Sequence, residues 1–593
     1  MAGSKSTVGS AAAGRQLAGA CLAAGLIAWA AWSPGHAAPA AEAGTNGRPR
    51  FKIPKIFVPG FKPPRMDPAK VAIGERLFLE TRFSQYFFAH SQGDANAQLP
   101  AGDPVVATVP TIGQPLPGPF GGFAINCRSC HLVNEFFSNG PGNRTYADFA
   151  RRSPVPARED GKTLTPRNAP AMVNATIPRE HEMFLHFDGE FGSGKDLVKA
   201  TLTGRNFGWL PGEQTQAVQQ VAHIIRDDDG HGPLAADFGG YSYRRVLAGN
   251  DAELGEEGDR FHLSEEYRMD VTQASDAAIL EQVARLIAAY MDSLFFSRDE
   301  RAEYDGSSYD WFLETNQIPR QPDPGQSMTY YNRNVLDLIS SPAPLRFTKP
   351  GEMRFKTLKQ PFTFGPQELL GMKIFFTMAR YATNSTRRPS PAHGIGNCVM
   401  CHPAPDFTDF KFHNTGAAQE EYDAIHGAGA FAKLSVPGLE ERNAHVEVWL
   451  PATTQHPRGA GPFLDIPTAE RPGRADLGLW NVFANPDLPR VQPALRALLN
   501  LDTKPRPDHE WLPRTLALFK TPSLRGLSLS DPYLHTGRKD TIEDVIEFYR
   551  RMSNLTRAGN VRNAAPELSG IFLKENDIAP LAAFLRALNE DYE

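Results

Sequence analysis

Two runs of this chain, Cys127-Arg128-Ser129-Cys130-His131 and Cys398-Val399-Met400-Cys401-His402, hold residues whose types and spacing can do chemistry. Two thiols three residues apart can each form a thioether to a vinyl group of haem. The adjacent histidine then reaches the iron from one face, which is the attachment pattern of c-type haem. A zinc site built on two cysteines and a histidine needs further ligands, and a redox disulfide has no use for the histidine. The remaining cysteine, Cys21, lies in a segment expected to be removed. Every cysteine of the mature chain then belongs to one of the two runs. Two covalently bound haems are expected, with His131 and His402 as iron ligands.

Covalent haem attachment takes place outside the bacterial cytoplasm, and the N-terminus fits export. Lys5 and Arg15 supply positive charge, Leu17 to Trp32 form an apolar run short for a membrane span, and Gly35-His36-Ala37 offers a small-residue cleavage site. Residues 1–37 are therefore read as a signal peptide rather than a retained anchor. The mature protein is expected to be periplasmic or secreted and not membrane-spanning. The formal charge of -5 over 593 residues gives no reason to expect a nucleic-acid partner.

The elements that must position the two runs are helical. Residues 38–64 read as an extended leader. Asp67-Pro68-Ala69-Lys70 opens a helix through Ile73, Leu77 and Phe78, and a Pro/Gly-rich insert at about 92–122 leads to the first run. Helical periodicity returns at 196–202, 216–225 and most strongly at 276–296. Residues 318–363 read as loop, with prolines at 319, 322, 324, 342 and 344, and mark a boundary. A helix from Gly365 leads to the second run and another, 577–588, closes the chain. The expectation is a mainly α protein with two tandem cytochrome c-like domains, 65–340 and 341–593, and long irregular inserts. The 50 prolines and 51 glycines agree with such inserts.

Several further segments, in order, resemble the bacterial di-haem cytochrome c peroxidase and MauG superfamily. They are Gly74-Glu-Arg-Leu-Phe-Leu-Glu-Thr-Arg-Phe-Ser84, Thr165-Pro-Arg-Asn-Ala-Pro-Ala-Met-Val-Asn-Ala175, Phe187-Asp188-Gly189, Phe519-Lys-Thr-Pro-Ser-Leu-Arg525 and Asp531-Pro-Tyr-Leu-His-Thr-Gly537 running on through Thr541 to Tyr549. The resemblance implies one haem with an open face for peroxide and a second, six-coordinate haem that exchanges or stores electrons. It places Tyr549 as sixth ligand of the second haem, as in MauG-type proteins, with Met552 as the competing ligand and His535 as a further one. His413 and His535 also fit as hydrogen-bonding residues of that haem pocket. No histidine lies between His131 and Arg167 to block the first haem, so that haem is expected to be five-coordinate.

The resemblance also implies a distal glutamine and glutamate. The glutamine position falls on Ala200, and Glu213 is the candidate base, with Glu190 as a second choice. The tryptophan between the haems is replaced by Phe187, which removes an oxidisable relay and leaves tunnelling, Trp209 or another aromatic as the route. An interdomain calcium would draw on Asn168, Ser530 and Pro532. The expected activity is that of a peroxidase-type oxidoreductase, served by a small redox protein. The alternatives are an oxygenase using dioxygen on an organic substrate, since the long inserts also resemble those of the di-haem rubber oxygenases, and a non-catalytic electron carrier.

Overall fold

The computed structural model describes residues 67–99, 126–127, 130–131, 152, 155, 158–177, 179, 182–249, 254, 260–349, 351–352, 355, 360–381, 392–501, 503–527 and 530–590. The expected signal peptide and leader, most of the 92–122 insert, and Arg128 and Ser129 lie outside them. The architecture is mainly helical. Among the described residues the one named sheet is a two-residue antiparallel pair, β1 (Phe412–His413) with β2 (Phe519–Lys520). No helix of the described residues is long and apolar enough to cross a membrane.

The first core forms around α1 (Pro68–Phe78), α2 (Gly194–Leu202), α3 (Gln214–Asp227) and α4 (Asp276–Met291). Asp67 caps α1 by accepting the Ala69 N–H at 3.0 Å, and Pro68 begins the helix where no N–H is needed. Buried Ile279, Val283, Leu286, Ile287 and Tyr290 give α4 its core stripe. The helix stops at Met291 rather than at 296, because the chain beyond it turns to Asn174. The Leu294 carbonyl accepts the Asn174 N–H at 2.9 Å, and the Phe296 N–H donates to Asn174 Oδ1 at 3.0 Å.

A second core gathers α5 (Ser308–Thr315), α6 (Met328–Ile339), α7 (Pro366–Phe376), α10 (Ile542–Arg557) and α11 (Ile578–Arg586). Helix α6 falls inside the stretch expected to be loop. Its prolines flank the helix without entering it, and Tyr331, Val335, Leu336 and Ile339 are buried on one face. Helices α5 and α6, on the N-terminal side of the boundary expected at 340, thus pack into the core next to the second Cys-His run. Arg525 anchors this region: its guanidinium donates to both carboxylate oxygens of Asp310 on α5, each at 2.9 Å and fully buried. A third core, around Trp480, Phe483, Leu495 and Trp511, is built from the long insert after the second run. It includes α8 (Ala417–His426) and α9 (Gln492–Asn500) and packs on Phe184 and Phe412.

The early and closing helices cross through a glycine in both halves. Gly74 of α1 lies against the Leu286 carbonyl of α4, and Gly371 of α7 against the Pro580 carbonyl of α11, so close that a Cβ at either would collide with backbone.

A buried charge cluster holds the start of the first half. Glu80 accepts from Arg82 Nε at 2.8 Å, Arg82 Nη2 at 2.7 Å and the Tyr243 hydroxyl at 2.8 Å. Asp228 accepts from Arg76 at 3.0 Å and faces Arg82 at 2.9 Å. Burial alone would raise the Glu80 pKa, but the Arg82 charge and hydrogen bonds outweigh it and hold the pKa at about 2. A carboxylate whose folded pKa is depressed contributes stability above its unfolded value and loses it as pH falls through the folded one. Acid titration is therefore expected to cost on the order of 3 kcal/mol between about pH 4.5 and pH 2, from the depression at Glu80. Glu80→Gln should flatten that window when unfolding free energy is followed against pH. A wild-type profile that the variant leaves unchanged would rule out Glu80 as the source.

Candidate functional site

In both Cys-x-x-Cys-His runs the first cysteine's carbonyl accepts from the second cysteine and the histidine. In the first, the Cys127 carbonyl accepts the Cys130 and His131 N–H groups, each at 3.2 Å. In the second, the Cys398 carbonyl accepts from Cys401 at 3.2 Å and His402 at 2.8 Å. The left-handed Asn397 (φ 54°) starts that turn, and its side-chain amide donates to the Glu567 carbonyl at 2.9 Å. In each run the histidine Nδ1 meets a backbone carbonyl, Pro170 at 3.1 Å for His131 and Phe407 at 2.9 Å for His402. A carbonyl can only accept, so Nδ1 carries the proton and Nε2 is the bare nitrogen, as an iron ligand requires. Burial lowers both imidazole pKa values, that of His131 to about 4, which favours the neutral ring.

Each run opens onto a separate cavity. The first encloses about 850 Å³ of space including its mouth, between Leu185, Leu197, Leu202, Phe207 and Ile287. The second encloses about 1380 Å³ between Phe375, Leu524, Ile542, Ile546 and Leu581. Apolar linings beside two thiols and a bare imidazole nitrogen suit a covalently held porphyrin. They do not fit a zinc knuckle. The ligating groups that converge near the second run are Cys401, His413 and Glu567, which leaves out Cys398 and His402. Burial raises the Cys127 and Cys398 thiols to about 12, so neither is a ready thiolate.

The residues expected around the second haem come together. Cys398, Cys401, His402, His413, His535 and Tyr549 line one cavity. Helix α10 presents Ile542, Val545, Ile546 and Tyr549 to it, a single face at helical spacing. Burial pushes the Tyr549 phenol well up. Met552, one turn on, is packed instead with Ala417, Phe548 and Val561, against Gly416. His413 Nε2 is bonded to Asp409 at 2.8 Å. The His535 ring stacks on Phe519 at 3.5 Å, and its buried Nε2 has no hydrogen-bond partner.

Other expected residues lie elsewhere. Glu213 is not among the described residues lining the first cavity. Arg158 holds its carboxylate at 2.7 and 3.1 Å, and the Leu210 N–H donates to it at 2.7 Å. Ala200 is absent from the lining too, whereas Leu197, Val198, Thr201 and Leu202 of the same helix face the cavity. Trp209 is buried in the first core with its indole N–H on the Phe83 carbonyl at 3.2 Å, and it lines neither cavity. Asn168 donates its amide to the Pro532 carbonyl and its backbone N–H to the His535 carbonyl at 2.7 Å. Ser530 points its hydroxyl to the Gly526 and Leu527 carbonyls at 3.3 Å. Two of the three expected calcium ligands thus meet directly.

The wall between the cavities holds Phe187, singled out in the sequence, and others that sequence reasoning did not single out. Phe187 lines the second cavity, and its carbonyl accepts the Lys520 N–H at 2.7 Å. The Lys520 side chain borders both cavities and donates to the Phe184 carbonyl at 2.8 Å. Arg167 braces the wall with bonds to Asp188 at 2.5 Å and to Asp476 at 2.5 and 2.8 Å. His186, the neighbour of Phe187, faces the first cavity.

No family model matches the chain. A cytochrome-c peroxidase, IdrP1 of Denitromonas iodatirespirans, is 31% identical over 77 residues, which are 13% of this chain and 19% of that protein. The match thus spans about a fifth of the relative's length. Among solved structures, the diheme peroxidase BthA from Burkholderia thailandensis aligns over 89% of this chain and 87% of its own at 17% identity, with a TM-score of 0.42. A MauG-like protein associated with microbial copper homeostasis aligns over 91% of this chain and 95% of its own at 19% identity, with a TM-score of 0.41.

Proposed function

We propose that this chain is a periplasmic di-haem c oxidoreductase of the bacterial cytochrome c peroxidase and MauG type, exported by residues 1–37. One observation carries the reading: each Cys-x-x-Cys-His run opens on its own apolar cavity with its histidine fixed in the ligand-ready tautomer. His131 would hold the haem of the first cavity, and His402 with Tyr549 that of the second. Once bound, the haems supply the redox chemistry, reduction of a peroxide at one site and electron storage at the other. The chain's own residues bind and orient. The cysteines tether, the Pro170 and Phe407 carbonyls set the imidazole rings, and the apolar walls exclude water. The Arg167–Asp188 and Arg167–Asp476 pairs fix the wall between the cavities. Electrons would enter from a small redox protein.

The test is an electron paramagnetic resonance spectrum of the resting ferric protein before and after peroxide. A high-spin signal that peroxide consumes, beside a low-spin one, is expected. Two low-spin haems that ignore peroxide would leave an electron carrier and sink the enzymatic reading.

A further inference from the structure

We propose that His186, oriented by Glu190, is the proton carrier of the first cavity. This rests on the reading that a haem tethered at Cys127 and Cys130 occupies that cavity. Apart from the residues of the Cys-His run itself, the described lining offers two side chains that exchange protons, His186 and Lys520. The Lys520 ammonium is engaged by the Phe184 carbonyl. The carboxylate expected to act here, Glu213, is held by Arg158 away from the lining.

The local backbone is built to present the histidine. Leu185 and Phe191 pair as an antiparallel bridge, with the Leu185 N–H on the Phe191 carbonyl at 2.8 Å, and this closes a short loop. Within the loop His186 sits at φ 62°, a left-handed conformation uncommon for a residue with a side chain and held only where surroundings impose it. The Arg167–Asp188 ion pair and Gly189 at φ 74° supply that constraint. His186 Nδ1 meets Glu190 Oε2 at 3.2 Å, and the ring lies edge-on to Phe191 at 5.0 Å between centroids. A carboxylate on Nδ1 selects the tautomer in which Nε2 is bare and able to take a proton. Asp188, close to both groups, gives its Oδ2 to Arg167 at 2.5 Å.

The reaction balances with two electrons from the donor protein and two protons from solvent. Hydrogen peroxide gains these and becomes two waters, as the O–O bond breaks. The bound haems would pass the electrons on. His186 takes the proton from one peroxide oxygen and returns it to the other, which leaves as water with both of the peroxide's own protons, while the two solvent protons go to the oxygen left behind.

Cyanide reports on the same group without turnover, because hydrogen cyanide must shed its proton to bind ferric iron. Stopped-flow association of cyanide with the full-length ferric protein is expected to slow about 100-fold in His186→Asn, the scale of a lost general base. Glu190→Gln should slow it less, by about tenfold, because the ring remains but loses its orientation. Asparagine tolerates the left-handed backbone at 186, so haem content and the high-spin signal should stay as in wild type. Unchanged association rates in both variants would overturn the proposal. So would a wild-type first haem that is low-spin and turns high-spin in His186→Asn, since His186 would then be an iron ligand. A wild-type protein with no haem on the first run, or with two low-spin haems that the variant leaves unchanged, would overturn the underlying reading first and this proposal with it.

Discussion

Tyr549→Phe is expected to convert the second haem from low-spin to high-spin in the ferric state, whereas Met552→Leu leaves its spectrum unchanged. The two residues are one helical turn apart on α10, and sequence spacing alone leaves both within reach of the iron. Packing separates them. Tyr549 continues the face of Ile542, Val545 and Ile546 into the cavity, while the Met552 thioether is locked against Gly416, Ala417 and Val561. Removing the phenol oxygen takes away the donor with little change in shape. Tyr549→Met should restore a low-spin haem and raise its potential by on the order of 100 mV, because a thioether stabilises ferrous iron where a phenolate stabilises ferric. Electron paramagnetic resonance with a redox titration reads both effects. A low-spin signal that survives Tyr549→Phe and disappears in Met552→Leu would reverse the assignment.

The second large effect is loss of a haem. Cys398→Ala combined with Cys401→Ala should leave one covalent haem per chain instead of two, by haem stain and pyridine haemochrome assay. The same change at Cys127 and Cys130 should give the same count. Both should cost stability, because the first cavity too is walled by core residues, among them Leu202, Phe207 and Ile287. The second cavity is walled by Phe375 of α7, Ile542 and Ile546 of α10 and Leu581 of α11, which also belong to the second core. Emptying it leaves a void inside a close-packed region, at a cost of about 3–5 kcal/mol, the scale of large-to-small core substitutions. Chemical denaturation of each double variant beside the wild type measures the cost. Wild-type protein carrying zinc and no haem would refute the haem reading at both runs.

Features that depend on short-range spacing were legible in the sequence. The two Cys-His turns, the Asp67 cap, the α4 stripe and the early and closing helices all announce themselves within a few residues. The family resemblance, aligned from Pro532-Tyr533-Leu534-His535, pointed to Tyr549, which lines the second cavity. What stayed hidden depends on distant partners. Helix α6 was obscured by flanking prolines that turn out to bound it. Nothing near Glu213 signals that Arg158, 55 positions away, binds its carboxylate. Trp209 has the composition of an electron relay but the surroundings of a core residue. His186 was the nearest miss: it precedes Phe187-Asp188-Gly189 directly, yet only a bridge and a left-handed backbone turn its ring into the first cavity.

Lys520 gives the wall between the cavities a second meaning. Burial, reinforced by the Arg179 charge, pulls its pKa down to about 7, and among the described residues no carboxylate forms an ion pair with it. Its ammonium is held on the Phe184 carbonyl, and both cavities border it. One side chain thus faces two sites at once, so a change made at this single position is felt in both.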